Sequence, residues 1–481
     1  MVMVKKGTVL AALLGVSVLT AACSGNSDSL KTEETAVVKV MYWDEQNFFQ
    51  QYGNLFNTKF PNVEIQVVSQ RSMYANMENE SMDPDEAFNK FLEEEKPDVL
   101  MLNTDQYKKL AEKDALVDLS PMLAEKDFLG NEILPGIIDF LKEQANGQLY
   151  GLSPSFYSQG LYYNADLFAK HGIEPPKNKM SWKEIVDLAK RFPSTGSAEN
   201  REYGLYMGYQ GSPFDMGMTI GFSQGLVMSD PEMTKLSINT DAWKAAFQLG
   251  IDALKTAAPQ NDFNGGSYED YLGQNSFIAG KAAMTVNSTY FMDELKEATE
   301  RSKKIKPFNW EIVSEPVDPN NPDYGSSMST SEIFAISASS PNQKAAWELV
   351  KYINGDDAAK LLSRTSRGSM MARTKYIKDK DGKNMEAFYA LKPRVNPSER
   401  FYGKMPQDFY QPFYTVAQEQ LQQAADGKIS LDEALKTIET KGQQELTNAR
   451  KKEEAKKANG GAESKGEEAS SGTSEQVKVS K

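Results

Sequence analysis

Three short apolar runs, separated by stretches of helical spacing, constrain this chain more than any other feature. Val37-Val38-Lys39-Val40-Met41-Tyr42 reads as a strand buried on both faces or nearly so. Phe48, Tyr52, Leu55 and Phe56 then fall at helical spacing until Pro61-Asn62 stops the pattern. Val63, Ile65 and Val67 alternate as a second strand, and Asp98-Val99-Leu100-Met101-Leu102 supplies a third. Strands that alternate with helical segments point to βαβ units and a parallel sheet, so the chain is expected to be α/β.

The first residues have a task apart from that fold. Lys5 and Lys6 form a positive start, Val9 to Leu19 is an apolar run, and Thr20-Ala21-Ala22-Cys23 closes it with small side chains. The run is too short to span about 30 Å of hydrocarbon and has the flanks of a secretory signal; a marginal membrane anchor is the competing reading. Cys23 is the only cysteine, which rules out an intramolecular disulfide. Its place resembles the lipobox of bacterial lipoproteins, with Thr20 where the strictest pattern has a large aliphatic residue and Leu19 one position earlier. That resemblance implies cleavage after residue 22 and lipidation of Cys23, which turns a secreted chain into an anchored one. Residues 23–36 then read as a polar tether.

Acidic residues outnumber basic ones, 67 to 54, and no Lys/Arg run lies beside aromatics, so a nucleic-acid partner is not expected. Ser181-Trp182-Lys183-Glu184, Ser340-Pro341-Asn342-Gln343 and Ser430-Leu431-Asp432-Glu433 carry helix-start signals. The Lys/Glu/Ala stretch to Lys457 is compatible with a helix. Residues 459–481, rich in Gly, Ser, Glu and Lys, are expected to form a disordered tail.

Enzyme signals fail one by one. Gly221-Phe222-Ser223-Gln224-Gly225 spells a nucleophile elbow, yet the mechanism wants a histidine after the serine, and the only one, His171, precedes it. His171 before Gly172 fits a helix end instead. One histidine and one cysteine leave no zinc constellation, Asp379-Lys380-Asp381-Gly382 has its glycine misplaced for calcium, and Gly280-Lys281-Ala282 lacks most of a phosphate loop. No catalytic residue, metal or cofactor is expected. Trp43, Tyr157, Tyr209, Phe214 and Tyr290 lie among Gly, Pro, Ser or Asn rather than in clean apolar periodicity. Rings outside a core can stack on the apolar faces of a ligand; taken singly, each can equally pack in the core.

Four stretches carry a family resemblance: Lys96-Pro97-Asp98-Val99-Leu100; Gly147-Gln148-Leu149-Tyr150-Gly151-Leu152-Ser153-Pro154 leading to Gly160-Leu161-Tyr162-Tyr163-Asn164-Ala165-Asp166-Leu167-Phe168; Phe277-Ile278-Ala279-Gly280-Lys281-Ala282-Ala283-Met284-Thr285; and Phe334-Ala335-Ile336-Ser337 running into Ala345-Ala346-Trp347-Glu348-Leu349. In this order the chain resembles the family 1 extracellular solute-binding proteins of bacterial ABC importers, among them the maltose- and oligosaccharide-binding proteins. The resemblance implies a two-lobed, periplasmic-binding-protein-like (type II) α/β fold with the solute in an interlobe cleft. Lobe one would comprise residues 37–154 and 288–332, lobe two residues 156–287 and 333–448. By position it implies ligand contacts from Trp43, Asp44, Glu45, Asp105, Tyr157, Asn287, Tyr290, Ser329, Ser331, Glu332 and Arg367. It further implies a monomeric receptor, lipid-anchored outside the cell membrane, that captures a carbohydrate and passes it to an importer permease. A peptide, polyamine or phosphorylated sugar on the same fold, or an extracellular hydrolase, are the alternatives.

Overall fold

The computed structural model describes residues 35–80, 82–193, 201–208, 211–259, 267–365, 368–377, 382–394, 396–406 and 408–467. The signal run and Cys23 lie outside them. In β1 (Ala36–Tyr42), Val38, Val40, Met41 and Tyr42 are fully buried, so the strand needs neighbours on both edges. β2 (Val63–Ser69) pairs with it in parallel along its whole length, from Ala36 opposite Val63 to Tyr42 opposite Ser69. β3 (Val99–Leu102) lies parallel on the other edge. The chain continues through β4 (Gly151–Leu152), β5 (Ser155–Phe156), β6 (Gln159–Asn164), β7 (Met284–Ser288), β8 (Trp310–Ser314), β9 (Tyr324–Gly325), β10 (Ile333–Ile336), β11 (Met370–Met371) and β12 (Lys392–Pro393). The first lobe's sheet has the order β2-β1-β3-β10-β4, with β10 antiparallel to both neighbours; the second lobe's sheet is β7-β6-β8, antiparallel throughout.

This topology corrects the expected lobe boundaries. β10 sits inside the first lobe's sheet, and the helix Gln343–Ile353 that follows packs on it, so residues from 333 belong at first to lobe one. β7 and β8 flank β6 in the second sheet, so the stretch from 288 to Ser314 belongs with lobe two. The reason is physical: Ile333, Phe334, Ala335 and Ile336 are all fully buried, as any central strand demands, and such a run carries no mark of which sheet it joins.

The chain passes between the sheets along three segments: from β4 to β6, from β8 to β10, and after β11. They are tied to one another. β5 pairs with β11, Tyr157 bridges Ser329 through two backbone hydrogen bonds of 2.8 and 3.0 Å, and β9 pairs with β12.

The helices form much as their caps dictate. Ser181 and Glu184 make a reciprocal capping box at the helix Trp182–Ala189, and Glu433 N–H donates to Ser430 Oγ at the start of Leu431–Glu467. Ser340 accepts the Asn342 amide at 3.0 Å and donates its hydroxyl proton to the buried Asp98, and the helix begins three residues later at Gln343. The last helix runs to Glu467, past the expected boundary at 459; the Lys/Glu/Ala run up to Ala458 favours it, while the stretch beyond holds Gly460, Gly461 and Gly466, which do not. Residues 468–481 lie outside the described residues. Ser223 occupies the last turn of the helix Pro213–Ser223, its hydroxyl on the Ile220 carbonyl, rather than a strand-to-helix turn. His171 ends its helix before the left-handed Gly172 and pairs with Glu202 at 2.6 Å.

One packing contact positions the second lobe's cleft wall. Helix Pro213–Ser223 lies against Asp241–Leu254 so closely that a Cβ on Gly217 would come within 2.1 Å of the Phe247 ring, and one on Gly221 within 2.1 Å of the Trp243 ring. Only glycine admits that approach. The helices Tyr410–Ala425 and Leu431–Glu467 complete this side.

Candidate functional site

A cavity of about 460 Å³ opens where the crossing segments meet the helix Pro213–Ser223. Gln159 enters from the start of β6, Val286 from β7, and Glu315-Pro316 from the end of β8. Ser326, Ser327 and Ser329 line it from the second crossing, and Asn396, Ser398 and Tyr402 from the third. Trp182, Phe214 and Phe222 give its walls ring surface, and Asp215 and Glu315 supply carboxylates. Rings beside hydroxyls and carboxylates suit a ligand that has both apolar faces and hydrogen-bonding edges.

The second lobe's wall is stiffened by an aromatic stack. Tyr410 stacks on Tyr414 at 5.5 Å, Tyr402 meets Tyr410 edge-on at 5.8 Å, and Tyr414 meets Phe214 edge-on at 5.5 Å. Asp215 accepts hydrogen bonds from Tyr414 Oη (3.2 Å) and Gln418 Nε2 (3.4 Å), which fixes its carboxylate in the first turn of its helix.

Glu315 is the deepest polar group. It is buried, and its Oε1 accepts the Ser327 amide at 3.2 Å. A Cβ at position 325 would come within 2.3 Å of that oxygen, so Gly325 makes the room it occupies. Burial pushes the carboxyl up to about 7, against the hydrogen bonds from the Ser326-Ser327 stretch and the more distant Arg394.

Of the residues expected at the site, the cavity gathers Phe214 and Ser329. Phe214 is a core ring, 1% exposed, that shows the cavity only part of itself. Tyr157 is paired with the lining Ser329 but does not itself line the cavity, and it is partly exposed. Asn287 and Tyr290 come just after Val286 in the chain; Asn287 Oδ1 accepts the Ser288 amide, and Tyr290 lies exposed beside Gly368. Trp43 is exposed and stacks on Tyr74 at 6.4 Å. Glu45 and Ser331 are exposed.

Three expected carboxylates are committed to the protein itself. Asp44 caps its helix through the Asn47 amide (2.9 Å) and pairs with Arg71 (2.8 Å), and the Asn47 hydrogen bond leads in holding its carboxyl below the usual range. Asp105 pairs with Lys109 at 2.6 Å, one helical turn on. Glu332 accepts Tyr42 Oη (2.7 Å) and Tyr52 Oη (2.9 Å); Tyr52 sits in the π-helical turn Phe49–Gly53, and burial raises the Glu332 carboxyl. Tyr209 and Arg367 lie outside the described residues.

A cavity at the crossing of strands that join two α/β lobes is the architecture of the two-lobed periplasmic binding proteins, which hold a solute between the lobes. The pattern of the bacterial extracellular solute-binding proteins matches residues 42–360, about two thirds of the chain, and the chain belongs to that family. It is 23% identical over 266 residues to the putative ABC transporter periplasmic-binding protein YcjN of Escherichia coli (strain K12), covering 54% of this chain and 56% of that one. It is 24% identical over 186 residues to the sn-glycerol-3-phosphate-binding periplasmic protein UgpB of Brucella abortus (strain 2308), covering 37% and 41%. The chain thus spans about half the length of the curated relatives it matches. Among solved structures it is similar in fold to RafE of Streptococcus pneumoniae in its apo form (TM-score 0.56, 15% identity, 86% of this chain and 99% of that one). The same holds for the substrate-binding protein Lmo0181 of Listeria monocytogenes in complex with cycloalternan (TM-score 0.52, 19% identity, 86% and 100%).

Proposed function

We propose that the protein captures a carbohydrate, an oligosaccharide in size, in the cavity at the lobe crossing and delivers it to the permease of an ABC importer. The observation that carries this is the composition of the wall: Trp182, Phe214, Phe222 and Tyr402 beside Ser326, Ser327, Ser329, Asn396 and two carboxylates. Sugars present C–H faces to rings and hydroxyl edges to such polar groups. The bound cycloalternan of the Listeria neighbour supports the reading. Trp43, Tyr157 and Tyr290 extend the ring surface at the rim, Trp43 from the first lobe. Release of the signal and lipidation of Cys23 would hold a monomeric receptor on the outer face of the cell membrane, where its family works.

A thermal-shift screen of linear and cyclic oligosaccharides tests the reading. A true solute raises the melting temperature by mass action, by about 2.7 kcal/mol of apparent stability at a hundredfold excess over its dissociation constant. Stabilisation by peptides alone would overturn it.

A further inference from the structure

The cavity wall holds two carboxylates, Asp215 and Glu315, and among the described residues no Lys, Arg or His lines it. The cation that acts on Glu315, Arg394, is committed to the wall: Nη2 donates to the Ser223 carbonyl at 2.8 Å and Nη1 pairs with Asp318 at 3.8 Å. A helix N-terminus would ordinarily welcome an anion. That of the helix Pro213–Ser223 is already served by its own groups, since Asp215 sits in the first turn and the Asp215 amide donates to Ser212 Oγ at 3.1 Å. Gly325 keeps Glu315 in place under the cavity. The chain as a whole adds a net charge of −13.

We propose that this cleft selects against anionic solutes through Glu315 and Asp215, so that its sugar is uncharged or amine-bearing and not phosphorylated. The inference rests on the cavity being the solute site. A phosphate entering it would give up water and meet the Asp215 carboxylate, joined by that of Glu315 as pH rises through about 7, with no Lys, Arg or His among the described lining residues to replace the lost hydration. The chain therefore departs from the relatives named for sn-glycerol 3-phosphate in the charge of solute it takes.

The test is calorimetric titration of the full mature chain with paired probes: maltotriose, raffinose, a glucosamine trimer, glucose, glucose 6-phosphate, glycerol, sn-glycerol 3-phosphate, spermidine, and one basic and one acidic tripeptide. The expected result is binding of a neutral or amine-bearing sugar, with each phosphate at least tenfold weaker than its parent. The double variant Asp215→Asn/Glu315→Gln, checked for an unchanged apo circular-dichroism spectrum, should narrow that gap severalfold. A phosphorylated probe that binds wild type as tightly as its parent overturns the inference, and so does an unaltered gap in the double variant. Binding of spermidine or the basic tripeptide alone would sink the carbohydrate reading while upholding the charge selection.

Discussion

Glu315 shows how little of a site's chemistry is written in residue type. Nothing in Ser314-Glu315-Pro316 says that the carboxylate turns inward; that depends on Gly325, ten residues on, leaving room for it. Asp105 is the reverse case, since the Lys109 one turn later that absorbs it stands in the sequence. The local placing of rings among Gly, Pro, Ser and Asn picked out Phe214, which does reach the cavity, but could not tell a core ring at the wall from an exposed one. The buried carboxyl makes a pH prediction. Its folded-state pKa of about 7 lies above the ordinary 4.5, so the folded chain keeps a proton that the unfolded chain releases between those values. The stability this brings is complete below about 4.5 and is lost as pH rises through about 7. Arg394 faces the carboxyl from the third crossing, and Asp215 and Tyr402 share its cavity. Glu315→Gln, which carries no charge, should therefore gain on wild type between pH 5 and pH 8, by at most about 3 kcal/mol for a shift of this size. Urea midpoints of both proteins at four pH values decide it, and parallel curves would mean that Glu315 does not titrate in the folded chain.

Elements were legible where their signals are local. The strands at 36–42, 63–69 and 99–102, the capping box at Ser181 and the helix from Leu431 follow from periodicity and caps within a few residues. Membership of a sheet was not legible, because β10 joins β3 across more than two hundred residues of chain, and its four apolar side chains would suit either lobe. At Ser340 the local signal was partly right: its oxygen accepts the Asn342 amide at 3.0 Å while its proton goes to the distant Asp98, and the regular helix starts only at Gln343. The glycines of the helix Pro213–Ser223 tell the same story, since their purpose is visible only once Phe247 and Trp243 lie over them. Gly217→Ala would favour the isolated helix by up to about 1 kcal/mol. The new methyl, however, would fall within 2.1 Å of the Phe247 ring, and forcing the two helices apart should cost about 1–3 kcal/mol net. The same displacement moves Asp215 and Phe222, so solute affinity should fall together with the melting temperature. A variant as stable as wild type would show that the helices pack with more slack than this.

For the whole molecule, the exposed rings outside the cavity bear on how it holds a solute. Trp43 rides on the loop after β1, whose neighbour Tyr42 is anchored to Glu332 on the second crossing. Tyr290 follows β7, the strand that carries Val286 into the cavity wall. The two rings therefore follow strands of different sheets, and they are 41% and 42% exposed. Large rings left in water cost the free protein apolar exposure, and a bound sugar that covers them recovers it. A core ring cut to alanine costs about 3–5 kcal/mol of stability, whereas a ring used only in binding costs little until the solute is present. Trp43→Ala should lose no more than about 1 kcal/mol of apo stability, the worth of its stack on Tyr74, and Tyr290→Ala even less. Each should weaken the tightest-binding oligosaccharide by about 2 kcal/mol if the ring is central to the contact. Apo melting temperature and calorimetric affinity, measured on the same preparations, separate the two effects. Variants that melt as wild type and bind the sugar with undiminished affinity would confine the site to the cavity between Glu315 and Tyr402 and leave the rim rings without a part in it.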